Sequence, residues 1–221
     1  MAPGRYWRAV LGLLLLSGCA RGQGQPELPY RAWYLGLFAP NYMEVWVESV
    51  DVVDRRGLVY ERVTGGTVGI QTPPNNSGNP RGWPARVGGG KGKDLPGIDL
   101  PEFIFVRWQS LAEPQTYHVK LTIPQWVRDE MLRPQRGYCH FSGVWREEQY
   151  RQDITIGLAP GGIAKAWVAG PCLMPIEIGR FVGVVHKEGP SDGQSGGRYA
   201  LPLSPASKAY IEAHGVPYGS W

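Results

Sequence analysis

Residues 43–63 read MEVWVESVDVVDRRGLVYERV, and this stretch decides the fold class. Val45, Val47 and Ser49 fall on one side of an extended chain, and Glu44, Trp46, Glu48 and Val50 fall on the other. That period of two is the pattern of a strand with one wet face. Asp54-Arg55-Arg56-Gly57 then reads as a turn, and Leu58 to Val63 can pair back as a hairpin. Working outward, Tyr30 to Phe38 is an aromatic-rich strand, and Thr67 to Thr72 is a weaker one. Glu102 to Gln109 and Thr116 to Ile123 are strands joined at Glu113-Pro114-Gln115. Gln152 to Leu158, Gly162 to Ala169 and Ile176 to His186 are three more. Pro124 to Leu132 reads as a short helix. Ser204-Pro205 caps and starts a second, Pro205 to His214, which Gly215 and Pro217 stop.

Composition agrees with that reading. Gly and Pro together account for 51 of 221 residues, too many for a helical bundle and suited to a chain of many turns. No period of a few tens of residues repeats. The expected architecture is mainly β: an antiparallel β-sandwich with one or two short helices and a long Gly/Pro-rich loop. That loop, Gln71 to Gly97, holds 12 Gly or Pro in 27 residues and carries Arg81, Trp83, Arg86, Lys91 and Lys93 against the single acid Asp94. Long loops of this kind are often functional, the alternative being a plain surface loop.

The first residues read as an address. Arg5 and Arg8 precede the apolar run Ala9 to Leu16, which is far short of a membrane span. Leu16-Ser17-Gly18-Cys19 follows and resembles the bacterial lipoprotein lipobox. It implies a signal peptide over 1–18, a lipidated Cys19 with a tether over 19–29, and one β-rich periplasmic domain over 30–221. Several acyl chains make a stable anchor where one would be marginal. Ala20 after the Cys, in place of the Asp that retains such proteins in the inner membrane, implies the outer membrane. An ordinary secretory signal with an incidental Cys is the alternative. Without Arg5 and Arg8, 21 basic residues face 19 acidic ones, so the balance does not point to nucleic acid.

With Cys19 lipidated, Cys139 and Cys172 remain. An even number in an oxidising compartment suggests one disulfide, worth about 3–4 kcal/mol in the chain-entropy model. Two separate buried thiols are the alternative. There is no Cys-x-x-Cys and no His pair at ligand spacing, so no metal or other cofactor is expected. Gly193-Gln194-Ser195-Gly196-Gly197 fits the nucleophile-elbow pattern formally but lacks the strand before and the helix after that strain such a turn. Gly88 to Lys93 fails the P-loop pattern. His118, His140, His186 and His214 read as isolated structural or exposed residues. No catalytic residue is assigned.

Three blocks carry a family resemblance. They are WYLGLFAP (33–40) leading into EVWVE (44–48), FVRWQSL (105–111) and GLAPGGIAKAW (157–167). Together they resemble a family of uncharacterised proteobacterial lipoproteins, common in pseudomonads, and the resemblance spans most of residues 30–182. Such proteins are often encoded beside phospholipase effectors of type VI secretion, and some act as their immunity proteins. The resemblance implies a non-catalytic lipoprotein that binds and neutralises a secreted lipase. The 71–97 loop would insert into the enzyme, with Trp83 as anchor and the basic residues meeting an acidic or phosphate-binding mouth. The rival expectations are an envelope structural or assembly lipoprotein and a glycan-binding module.

Overall fold

The computed structural model describes residues 24–73 and 75–221. The expected signal peptide and Cys19 lie outside the described residues. The elements run β1 (Ala32–Ala39), β2 (Val45–Asp54), β3 (Val59–Thr67), β4 (Gly69–Ile70), β5 (Lys91–Pro96), β6 (Pro101–Ser110), β7 (Gln115–Thr122), α1 (Gln125–Leu132), β8 (Gln135–Cys139), β9 (Val144–Gln149), β10 (Asp153–Ala159), β11 (Ile163–Gly170), β12 (Leu173–Val182), β13 (Val184–Val185) and α2 (Pro205–His214). The protein is mainly β, as its turn-rich composition requires. Among the described residues, no helix is long and apolar enough to cross a membrane.

One sheet has the order β12-β11-β10-β1, with β4 and β5 both on the far side of β1. The second has the order β13-β7-β6-β2-β3, and β8 and β9 form a ribbon of their own. Alternate residues of the two larger sheets meet in one core. Leu35 of β1 and Ile156 of β10 belong to the same buried cluster as Val50 of β2, Ile104 of β6 and Leu121 of β7. Neighbouring strands are antiparallel except at β1, which pairs in parallel with β10 and with β4. The sequence could not show this departure, because no turn joins β1 to β10 and alternation is the same for either direction.

The decisive stretch holds one surprise. Val45 and Val47 point into the core as expected, but the register slips between Val47 and Ser49 against β6. The extra residue flips the pleat, so Val50 and Val52 are buried and Ser49 faces outward. The face of Glu44, Trp46 and Glu48 is not simply wet either. It fastens the C-terminal segment. The Glu44 carboxylate accepts from the Ser204 amide at 3.1 Å, from the Ser204 hydroxyl, and from the Ser207 hydroxyl at 2.6 Å. Glu48 accepts from the Ser191 amide at 2.7 Å, and Gln109 from the Ala200 amide at 2.8 Å. Ser204 caps α2 by accepting from the Ser207 amide at 3.3 Å. Ser207 is fully buried, and Glu44→Ala removes the carboxylate that its hydroxyl donates to, leaving it with Asn76 and Ser204. The substitution is expected to lower stability by about 2 kcal/mol in urea denaturation. It should also increase hydrogen exchange in α2 before the sheets open.

The 71–97 segment is not the free finger the sequence suggested. Its end becomes β5, antiparallel to β1 from Ala32 to Leu37. The part before β5 lies flat on the outer face of the first sheet. Trp83 packs edge-on against Phe38 and Trp167, with ring centroids 5.4 Å from each. Gly157 makes this possible, since a Cβ there would stand 2.4 Å from the Trp83 ring. The Trp221 indole donates to the Pro80 carbonyl at 2.8 Å and ties down the middle of the segment.

Candidate functional site

A cavity opens at the end of the first sheet where β10 begins. It has a volume of about 630 Å³ and three walls. One is the Arg86–Gly89 end of the covering loop. The second is the β8–β9 hairpin. The third is the β11–β12 turn around Cys172.

The hairpin exists because Tyr138 and Trp145 stand opposite each other across the turn His140–Gly143, as Cys139 and Val144 do. Gly143 takes a φ of 68°, which a residue with a Cβ resists, and its amide donates to the Cys139 carbonyl at 2.8 Å. A lone two-stranded ribbon is marginal in water, and among the described residues no third strand pairs with it. Cys139 and Cys172 form a disulfide that pins the ribbon to the β11–β12 turn. On the cavity face, planar groups stand in a row. Arg136 lies 4.7 Å from the Trp145 ring, Trp145 lies 5.4 Å from Tyr138, and Tyr138 lies 4.9 Å from His140. Arg86 closes the row from the opposite wall, 2.9 Å from His140 Nε2.

The floor is polar. The Thr155 hydroxyl is buried and has no hydrogen-bond partner among the described residues, and Arg151 Nε is in the same position. The other guanidinium nitrogens of Arg151 are engaged. Nη1 donates to Gln135 at 2.5 Å and lies 3.3 Å from Glu130, and Nη2 donates to the Met174 carbonyl at 3.3 Å. The hydrogen bond from Arg133, with Arg151 also close, holds Glu130 below the usual carboxylate range. Burial, followed by the charge of Asp94, pushes the Asp153 carboxyl up to about 6.

The sign of that shift gives a test. An acid raised in the folded state adds stability below its ordinary range and loses it as pH rises through the folded value. Asp153→Asn removes this loss. The variant is expected to gain about 1–2 kcal/mol on the parent protein between about pH 4 and about pH 8, after discounting for partial exposure. Urea denaturation at the two pH values measures it.

Of the five loop residues singled out in the sequence, Arg86 alone reaches this cavity; Lys91 and Lys93 are in β5, and Lys91 Nζ donates to Thr67 at 2.5 Å. The Arg81 amide donates to Asn79 within an exposed turn. Trp83 is spent on the sheet, so its expected role as an outward anchor gives way to the aromatics of the hairpin. The hairpin was missed, although Tyr138-Cys139 and Val144-Trp145 around Ser142-Gly143 carried a recognisable signal. Phe141 at its tip is 76% exposed, Trp145 57%, Met174 of β12 50% and Val144 44%, an apolar group of side chains on the surface.

The histidines are not all isolated. His118 and His186 approach to 3.3 Å between their Nδ1 atoms, and His186 Nε2 lies 2.8 Å from Asp192. Arg107, with Glu48 2.6 Å from its Nε, also holds Asp192 and keeps that carboxyl below the usual range. This cluster fastens the start of the C-terminal strap. Ser195 lies on the strap, and its hydroxyl donates to the Pro190 carbonyl at 3.1 Å. Among the described residues no side-chain base bonds to that hydroxyl.

Residues 20–219 match the protein family of unknown function DUF2931, and the chain belongs to that family. No curated protein and no solved structure matches it.

Proposed function

We propose that this DUF2931 protein is an outer-membrane-anchored lipoprotein facing the periplasm, and that it works by binding a secreted phospholipase and blocking it, not by catalysis. The observation that carries this reading is the pinned apolar projection. Phe141, Val144, Trp145 and Met174 stand exposed around a hairpin that a disulfide holds in place. Exposed apolar groups gathered on one element suit a partner surface. A rigid one binds with less ordering cost than a flexible loop. A phospholipase must admit acyl chains through an apolar mouth and bind a phosphate beside it. A hairpin with Phe141 at its tip complements the apolar mouth, and Arg86 at its flank suits acidic residues on the rim. The lipobox and the three resemblance blocks support the compartment and the class of partner.

The test is capture from the native host by the tagged full-length protein, with the neighbouring gene products present and mass spectrometry as the readout. A phospholipase in stoichiometric amount supports the reading. Reproducible capture of envelope assembly proteins alone overturns it in favour of a structural role.

A further inference from the structure

Beyond its rim, the cavity has a polar interior, and we propose that it is a binding site for a saccharide carrying one carboxylate. Three observations carry this. First, the floor presents groups that want a polar ligand: the Thr155 hydroxyl, 1% exposed, and Arg151 Nε are both without partners. Asp153 beside them accepts no side-chain hydrogen bond among the described residues. Buried polar atoms are seldom left unsatisfied, and a hydroxyl, a guanidinium and a carboxyl together suit a ring of hydroxyl and amide groups.

Second, one wall is aromatic. Tyr138 and Trp145 stand 5.4 Å apart, their rings tilted at 56°, on the hairpin face that lines the cavity. The apolar C–H face of a sugar ring packs on one such ring while its hydroxyls turn to the floor.

Third, the charges are uneven. Arg136 is offset by Glu147 at 3.0 Å and Arg151 by Glu130 at 3.3 Å. Among the described residues, Arg86 has only the imidazole of His140. One arginine is therefore open to one carboxylate, for which its planar fork is suited. A phospholipid fits less well. Its phosphate would find two of the three arginines already neutralised, and its acyl chains would meet a polar floor.

The experiment is calorimetric titration of the full-length protein with three probes. They are the disaccharide of N-acetylglucosamine and N-acetylmuramic acid, which bears a carboxylate; the neutral chitin disaccharide; and glycerol phosphate. The acidic disaccharide is expected to bind, the neutral one about tenfold more weakly, and glycerol phosphate not at all. Arg86→Gln should erase the difference between the two sugars. Trp145→Ala should weaken both about tenfold. Val144→Asp, exposed on the hairpin and not in the cavity lining, should leave sugar binding unchanged, which separates this site from lipase docking. No binding of the acidic disaccharide at millimolar concentration overturns the proposal. So does binding that neither Arg86→Gln nor Trp145→Ala alters, or a preference for glycerol phosphate.

Discussion

Phe141→Asp is expected to weaken binding of the phospholipase partner by about a hundredfold or more, while leaving the melting temperature of the free protein unchanged. The two halves of the prediction have separate causes. Phe141 is 76% exposed at the hairpin tip, so its ring contributes little to the fold. In the complex it would be buried, and full burial of a Phe side chain is worth about 1.5–3 kcal/mol. A carboxylate in its place would also have to be desolvated without a partner, which brings the loss into the range of a central hot spot. Binding is measured by surface capture of the lipase, and the melting temperature by calorimetry. An affinity within about twofold of the parent would remove the hairpin tip from the interface.

The second large effect is on the fold. Replacing both Cys139 and Cys172 by Ser is expected to lower stability by about 3 kcal/mol, since the bond closes a loop with a sequence separation of 33. The loss should not be uniform. The hairpin has no third strand among the described residues, whereas β10 and β11 are buried inside the first sheet. Brief proteolysis should therefore cut the variant first between His140 and Gly143, with the rest of the chain still protected. The same variant should bind the lipase more weakly, because the projection would have to be ordered on docking. Uniform cleavage across the chain would show that the disulfide supports the whole sandwich and not the ribbon.

The fold class was legible in the sequence because the signals were local. Alternation through Val45 and Val47, the turn at Asp54–Gly57 and the Ser204-Pro205 helix start each depend on a few adjacent residues, and the last gave α2 with the observed bounds. What failed to show was non-local. The parallel pairing of β1 with β10 leaves no mark on either strand. The slip at Ser49 inverts a face without changing the composition. The 71–97 segment looked free because Gly and Pro suit both a flexible loop and a flat cover, and only Gly157 on a distant strand makes room for Trp83. Of the site, Arg86 and the Cys139–Cys172 pair were legible. Its other parts come from β8, β9, β10 and the β11–β12 turn, and nothing in the spacing of Tyr138, Asp153 and Cys172 says that they share a cavity. His118 and His186 likewise meet only because β13 lies beside β7.

The most direct test of the central claim is a titration of the captured phospholipase with this protein, following the initial rate of hydrolysis on phospholipid vesicles. A binder that blocks its enzyme predicts a linear fall in rate that reaches background at about one equivalent, with Phe141→Asp shifting the curve to higher concentration. Formation of a stoichiometric complex with undiminished turnover would contradict it, because the protein would then hold the lipase without closing its active site.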